Sequence, residues 1–272
     1  MSQNPLKKTT DLERKFKKSV TSSPIGNMLM LVRDNQGALA AILGERCTSQ
    51  AMTSDSQKAL CALATHAFNL ARSADIVITW GYPIQAFPLV RAAYEAISAC
   101  LYFRSSPDKA TEWLQGKSSA HPKYATVAAS AFADIFDEYA ALRNYSSVEL
   151  EIVSYLKRDI PRIYGLLSKH THPEFDAVRH QFYIDDTDRV RWMNLGPRLD
   201  MNDVGIRYAL FALSVLFVLQ VTLVSALLVE FREAHLSNWS ELAKLWEKIF
   251  FPQANQFRTT ISEIIQLFDQ KA

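Results

Sequence analysis

The stretch YALFALSVLFVLQVTLVSALLV, from Tyr208 to Val229, contains no charged residue over twenty-two positions. Two structures accommodate such a run: a helix that crosses a bilayer, which needs about 20 apolar residues, and a helix buried at the centre of a bundle. The run is interrupted by four polar residues: Ser214, Gln220, Thr222 and Ser225. No second run of this kind occurs in the chain. We therefore predict a buried central helix, with a membrane anchor through 208–229 as the alternative.

Apolar residues at helical spacing predict further helices on both sides of this run. The chain has only eight glycines and ten prolines, few for an all-β protein with many turns. Local signals mark some of the helix ends: Ser54 or Asp55 can cap one helix, Pro107 can open another, and Gly116 can follow its end. The predicted fold class is therefore mainly α, a multi-helix bundle with a long central apolar helix.

Residues 181–194 differ in character from the rest of the chain. Two β-prone runs, QFYI from Gln181 and VRWM from Val190, flank a polar turn that contains Asp185, Asp186 and Asp188. Because a short polar turn between two such runs favours strand pairing, we predict one small β-hairpin near 181–194.

The first 23 residues are polar and rich in lysine and arginine. We predict a solvated basic arm or a short helix over 1–23, followed by a single helical domain over 24–272. Contact of this arm with nucleic acid or with an acidic partner is the alternative.

Bulk composition limits the class of protein. The net charge of +2, with 21% charged residues, argues against a general nucleic-acid scaffold and against disorder. The three cysteines, Cys47, Cys61 and Cys100, lie far apart in apolar helical patterns without a CxxC motif, which indicates a reducing compartment. No apolar segment follows the basic N-terminus as it would in a secretory signal, so we expect a cytoplasmic protein.

Arg91 and Glu95 are the only charged residues between Ile76 and Phe103. They are four residues apart and so share one face of the predicted helix. Apolar and small residues surround them, which places the pair at a bundle interior or a cleft, where an unpaired charge would cost several kcal/mol. The pair is interpreted as a structural ion pair, with the polar centre of a functional site as the alternative.

A second group of ionisable residues, Lys169-His170-Thr171-His172-Pro173-Glu174, lies at a predicted helix end. Histidines near a helix C-terminus are favourable for the helix dipole, which accounts for much of this pattern. The two histidines are two apart and lack the i, i+4 spacing of helical zinc sites, so no metal site is predicted. A site formed by His170, His172 and a carboxylate is the alternative. No P-loop, GxGxxG or GxSxG motif is present, and no cofactor is predicted.

The order of several short motifs resembles a group of bacterial helical proteins of unknown function. These motifs are LVRAAYEA from Leu89, YGLLS from Tyr164, the His172-Pro173 pair and the long apolar helix, over about residues 80–235. That group is in turn similar to the HEPN superfamily of helical bundles, many of which are ribonuclease toxins or phage-defence components. HEPN nucleases place a histidine four to six residues after an arginine, whereas seven residues separate Arg162 from His170 here.

Three functions remain open on these observations. The first is a non-catalytic helical bundle that works through protein interaction, as a homodimer or other homo-oligomer. The second is a HEPN-like ribonuclease or nucleotide-binding defence protein, with Arg91, Glu95, His170 and His172 as the tentative catalytic cluster and RNA or a nucleotide as the ligand. The third is a protein anchored in a membrane through 208–229.

Overall fold

The structure is a computed structural model that describes the chain in segments. They comprise residues 5–20, 24–48, 52, 54–120, 122, 124–146, 154, 163–168, 182–184, 190–193, 204–231, 239–244 and 246–248.

The described fold is mainly helical. Its long helices are α1 (Pro5–Val20), α2 (Pro24–Thr48), α3 (Asp55–Thr79), α4 (Pro83–Ser105), α5 (Pro107–Leu114), α6 (Tyr124–Arg143) and α7 (Val204–Glu230). A 3₁₀ turn covers Ser118–Ala120, and residues 163–168, 239–244 and 246–248 are also helical.

Local chemistry sets several of the helix ends. The Ser54 hydroxyl accepts a hydrogen bond from the Gln57 amide at 3.2 Å and so caps α3. Pro107 occupies the first turn of α5, where its missing N–H costs nothing. Gly116 follows that helix with a φ of +77°, a conformation that glycine adopts without strain. These predicted helix ends are confirmed.

Helix α7 forms the centre of the bundle. Every residue from Phe211 to Val229 is buried, and α7 packs against α2, α4 and α6. Phe87 of α4 meets the α7 rings of Tyr208 and Phe211 edge-on, with centroid separations of 5.5 and 5.8 Å. The predicted long apolar helix is thus present. Within the described residues, one helix, Tyr208–Glu230, is long enough and apolar enough to cross a membrane. Its apolar stretch is 100% buried inside the bundle.

Helices α3 and α4 pack side by side in opposite directions. The Cys100 thiol of α4 lies 3.8 Å from the Leu60 carbonyl oxygen near the start of α3, while a short turn joins the other ends of the two helices. Helix α4 runs parallel to α7, because Phe87 meets Tyr208 at one end and Arg104 meets Glu230 at the other. The core therefore draws on α2, α3, α4, α6 and α7, with α7 at its centre.

The fold class needs one correction, which concerns the β-hairpin expected near 181–194. Among the described residues of this stretch, the backbone has two short extended segments, Phe182–Ile184 and Val190–Met193, which pair with an irregular register. Two strands of this length with no third strand are marginally stable at best in water. The hairpin is therefore not supported as an element of the fold, and the corrected class is an all-helical bundle.

Candidate functional site

Arg91 and Glu95 form an ion pair on one turn of α4. The Arg91 Nε donates to Glu95 Oε1 at 3.0 Å, and the two side chains are 25% and 28% exposed. The pair thus lies at the edge of the bundle, partly covered. Burial of the guanidinium lowers the pKa of Arg91, but the hydrogen bond and charge of Glu95 outweigh this, so that the pKa is raised overall. Arg91 is therefore a permanent cation.

Tyr164, in the helical segment 163–168, covers this ion pair. Its hydroxyl donates to Glu95 Oε1 at 3.4 Å, and the Arg91 Cζ lies 5.7 Å from the centre of its ring. The same ring lies 5.1 Å from that of Tyr94, which stacks on Phe132 of α6 at 5.3 Å. Burial raises the pKa of Tyr94, so its hydroxyl stays protonated at neutral pH. The arrangement attaches segment 163–168 to α4 and α6, which is a structural role.

The other two residues of the tentative catalytic cluster, His170 and His172, lie outside the described residues. Whether they approach Arg91 and Glu95 stays a prediction. Only the Arg91–Glu95 half of the cluster is brought together in the described part of the chain.

Asp75 of α3 forms a second polar centre that the sequence did not reveal. Its side chain is 0% exposed, and Arg33 of α2 binds it with two hydrogen bonds, Nε to Oδ2 at 3.1 Å and Nη2 to Oδ1 at 2.9 Å. Arg72 and the Thr79 hydroxyl also donate to this carboxylate. The only signal in the sequence is a single acid in the apolar run around Ile76, and its main partner is 42 residues away.

Arg104 forms a third centre, where α4 meets α6 and α7. Its Nη1 donates to Glu138 at 3.0 Å and its Nε to Glu230 at 3.2 Å. Gln57 of α3 donates to the other oxygen of Glu230 at 3.4 Å. Burial lowers the pKa of Arg104, but Glu138 and Glu230 outweigh it and raise the pKa overall. Arg104 thus joins three helices, and Gln57 links α3 to the same group through Glu230.

Arg143 at the end of α6 makes a further pair that fixes the chain after α7. It binds Glu247 with two hydrogen bonds of 2.6 and 2.9 Å and lies 5.5 Å from the centre of the Trp239 ring. The Trp239 indole in turn donates to the Leu228 carbonyl oxygen of α7 at 2.8 Å. These contacts hold segments 239–244 and 246–248 against α6 and α7.

Metal or thiol chemistry has no support in the described part of the chain. No group of three or more His, Cys, Asp or Glu residues there could hold a metal ion. Cys61 and Cys100 are both buried thiols. Burial raises the pKa of Cys100, which disfavours the reactive thiolate.

Comparison with known proteins gives one result. The model of a family of unknown function, DUF5677, matches residues 57–190. That stretch holds most of α3, all of α4 to α6, and the Asp75 and Arg91–Glu95 centres, whereas α7 lies beyond it. No curated protein and no solved structure matches the chain. Fold and comparison together show an all-helical domain that is similar to a family of unknown function, and the relation to HEPN proteins stays a prediction.

Proposed function

We propose that this protein works by binding other protein chains rather than by catalysis, and that its first partner is a second copy of itself. The observation that supports this is an exposed face of small and apolar residues on α2. We call it the α2 face, and its members are Met30, Gly37, Ala40, Ala41 and Gly44. Met30 is 60% exposed, the largest value among the exposed large apolar side chains of the described residues.

No contact among the described residues accounts for the two glycines. A Cβ atom built on Gly37 or on Gly44 would meet nothing within 4 Å. Glycine inside a helix nevertheless costs about 1 kcal/mol relative to alanine. Close approach of another backbone is one reason for such a residue, and a partner helix on the α2 face would supply it.

The spacing of the small residues suits a two-fold axis. The pattern Gly37-x-x-Ala40-Ala41-x-x-Gly44 reads the same from both ends. In an antiparallel pair of α2 helices with the axis between residues 40 and 41, Gly37 of one copy lies opposite Gly44 of the other. This self-complementarity is what an isologous dimer interface requires.

The neighbouring face of α3 extends the surface. Arg33 of α2 and Arg72 of α3 both bind the carboxylate of Asp75, so the exposed sides of the two helices adjoin. Ile76, one turn after Arg72, is 47% exposed. Met30 of α2 and Ile76 of α3 therefore flank the two arginines. Protein interfaces commonly combine apolar side chains with arginine.

Sedimentation equilibrium tests the proposal with one variant and one matched control. Ala41→Arg places a charge at the centre of the proposed interface, and Ala141→Arg makes the same change at an exposed alanine of α6. We expect a wild-type mass of twice 30.8 kDa at micromolar concentration, retained in Ala141→Arg. An uncompensated interface charge costs several kcal/mol, so Ala41→Arg should be monomeric. A monomeric wild type, or a dimeric Ala41→Arg, would refute the proposal.

A further inference from the structure

We propose that one end of the bundle binds the phosphate backbone of a nucleic-acid strand. The surface responsible, here called the basic surface, consists of Arg14, Lys17, Arg33 and Arg72. This inference goes beyond self-association and does not depend on it. Arg33 and Arg72 border the α2 face, whereas Arg14 and Lys17 belong to α1 and lie outside it.

Two of the three arginines of the basic surface, Arg33 and Arg72, are held in place by a buried acid. Asp75 binds both, yet the Arg33 and Arg72 side chains remain 45% and 48% exposed. Arg33 uses its Nε and Nη2 and Arg72 its Nη1, which leaves outer N–H groups to donate into solvent. A guanidinium fixed in this way loses little side-chain entropy when it binds a phosphate group.

Helix α1 continues this surface. The Lys17 Nζ lies 4.9 Å from the centre of the Trp80 ring. Trp80 follows Thr79, whose hydroxyl accepts a hydrogen bond from Arg33 at 3.2 Å. Lys17 and Arg33 therefore contact consecutive residues, Trp80 and Thr79. Arg14, one turn before Lys17, is 71% exposed.

Helix α1 accounts for the net positive charge of the chain. Helix α1 has six basic and two acidic residues, a net charge of +4, whereas the whole chain has +2. The nearby acids only partly offset these cations. Asp75 is buried between Arg33 and Arg72, and Asp11 lies 3.8 Å from Arg14. Glu13 accepts a hydrogen bond from Tyr82, and Asp34 is exposed beside Arg33. Cations spread over three helices match a chain of repeated phosphates better than a single anion.

Fluorescence anisotropy with a labelled single-stranded RNA oligonucleotide tests the inference. The variant is Arg14→Gln/Lys17→Gln, and the control is Lys117→Gln, an exposed lysine after α5. The control lies at the opposite end, because Thr111 of α5 binds Asp55 at the start of α3 whereas Lys17 lies at its end. Thermal unfolding of each protein shows that the fold is retained. Arg14→Gln alone serves as a second variant if the double one unfolds early.

We expect the wild type to bind at low salt and the double variant to bind about tenfold more weakly. Each lost phosphate contact should reduce the slope of log affinity against log salt by about 0.7 for a single strand. Arg14→Gln alone should bind about threefold more weakly by the same reasoning, and Lys117→Gln should bind as the wild type does. The inference is overturned if the wild type does not bind the oligonucleotide, if the control loses as much affinity as the double variant, or if only vesicles of anionic phospholipid take up the protein.

Discussion

Replacing Gly37 and Gly44 with alanine should stabilise the folded monomer and at the same time weaken self-association. Both residues lie inside α2, and an added Cβ meets nothing within 4 Å in either case. Alanine is favoured over glycine in a helix interior by about 1 kcal/mol, so the double variant should gain about 2 kcal/mol in its free energy of unfolding. In a dimer with closely packed α2 helices, the two new methyl groups of each copy separate the backbones.

Urea unfolding, followed by circular dichroism at concentrations where the protein is monomeric, measures the first effect, and sedimentation equilibrium measures the second. Two other glycines serve as controls, since a Cβ on either would also meet nothing within 4 Å. Gly165→Ala, in the helical segment 163–168, should give the same gain per residue with unchanged association. Gly116→Ala should destabilise by about 1 kcal/mol, because Gly116 has a φ of +77°. A loss of stability in the α2 variant, or an equal loss of association in Gly165→Ala, would refute the reasoning.

Four further outcomes are expected. Asp75→Asn should lower the free energy of unfolding, measured in urea, by roughly 2 kcal/mol. This is less than the 3–5 kcal/mol typical of a broken buried pair, because Arg33 and Arg72 both reach solvent. No change in the free energy of unfolding would mean that the ion pairs contribute nothing. Burial and a 2.6 Å hydrogen bond to Glu13 raise the pKa of Tyr82 to about 12. The protonated Tyr82 hydroxyl therefore contributes its full stabilisation below pH 10, and this stabilisation is lost as the pH rises towards 12. The loss of stability measured by alkaline unfolding should be smaller in Tyr82→Phe. If the protein is a HEPN-like nuclease instead, purified protein should cleave RNA and His172→Ala should not, whereas we expect no cleavage by either. Carbonate extraction should release the protein from membranes, and retention would favour an anchor through 208–229.

Features set by neighbouring residues were predictable from the sequence. Ser54, Pro107 and Gly116 mark helix ends because each acts on the backbone within a few residues of itself. The central helix was predictable because burial on all sides leaves a long run without charge. The Arg91–Glu95 pair was predictable because its partners are one turn apart.

Features set by distant residues were not predictable. Arg33 and Asp75 are separated by 42 positions, and only the packing of α2 on α3 brings them together. The same holds for Arg104 with Glu230, which are 126 positions apart. The β-hairpin was predicted from local β-propensity. Whether residues with high β-propensity form a stable strand depends strongly on packing against neighbouring strands. The described residues contain no third strand beside Phe182–Ile184 and Val190–Met193.

Disulfide cross-linking through the α2 face tests self-association most directly. Ala41→Cys, in a Cys47→Ser background, places one engineered thiol beside the proposed two-fold axis, while Cys61 and Cys100 are buried. A disulfide needs Cα atoms about 4.4–6.8 Å apart, which only closely packed α2 helices supply. We expect mild oxidation to give a covalent dimer of Ala41→Cys and none of the matched Ala141→Cys protein. A monomeric Ala41→Cys band, or equal cross-linking of both variants, would contradict a dimer formed through α2.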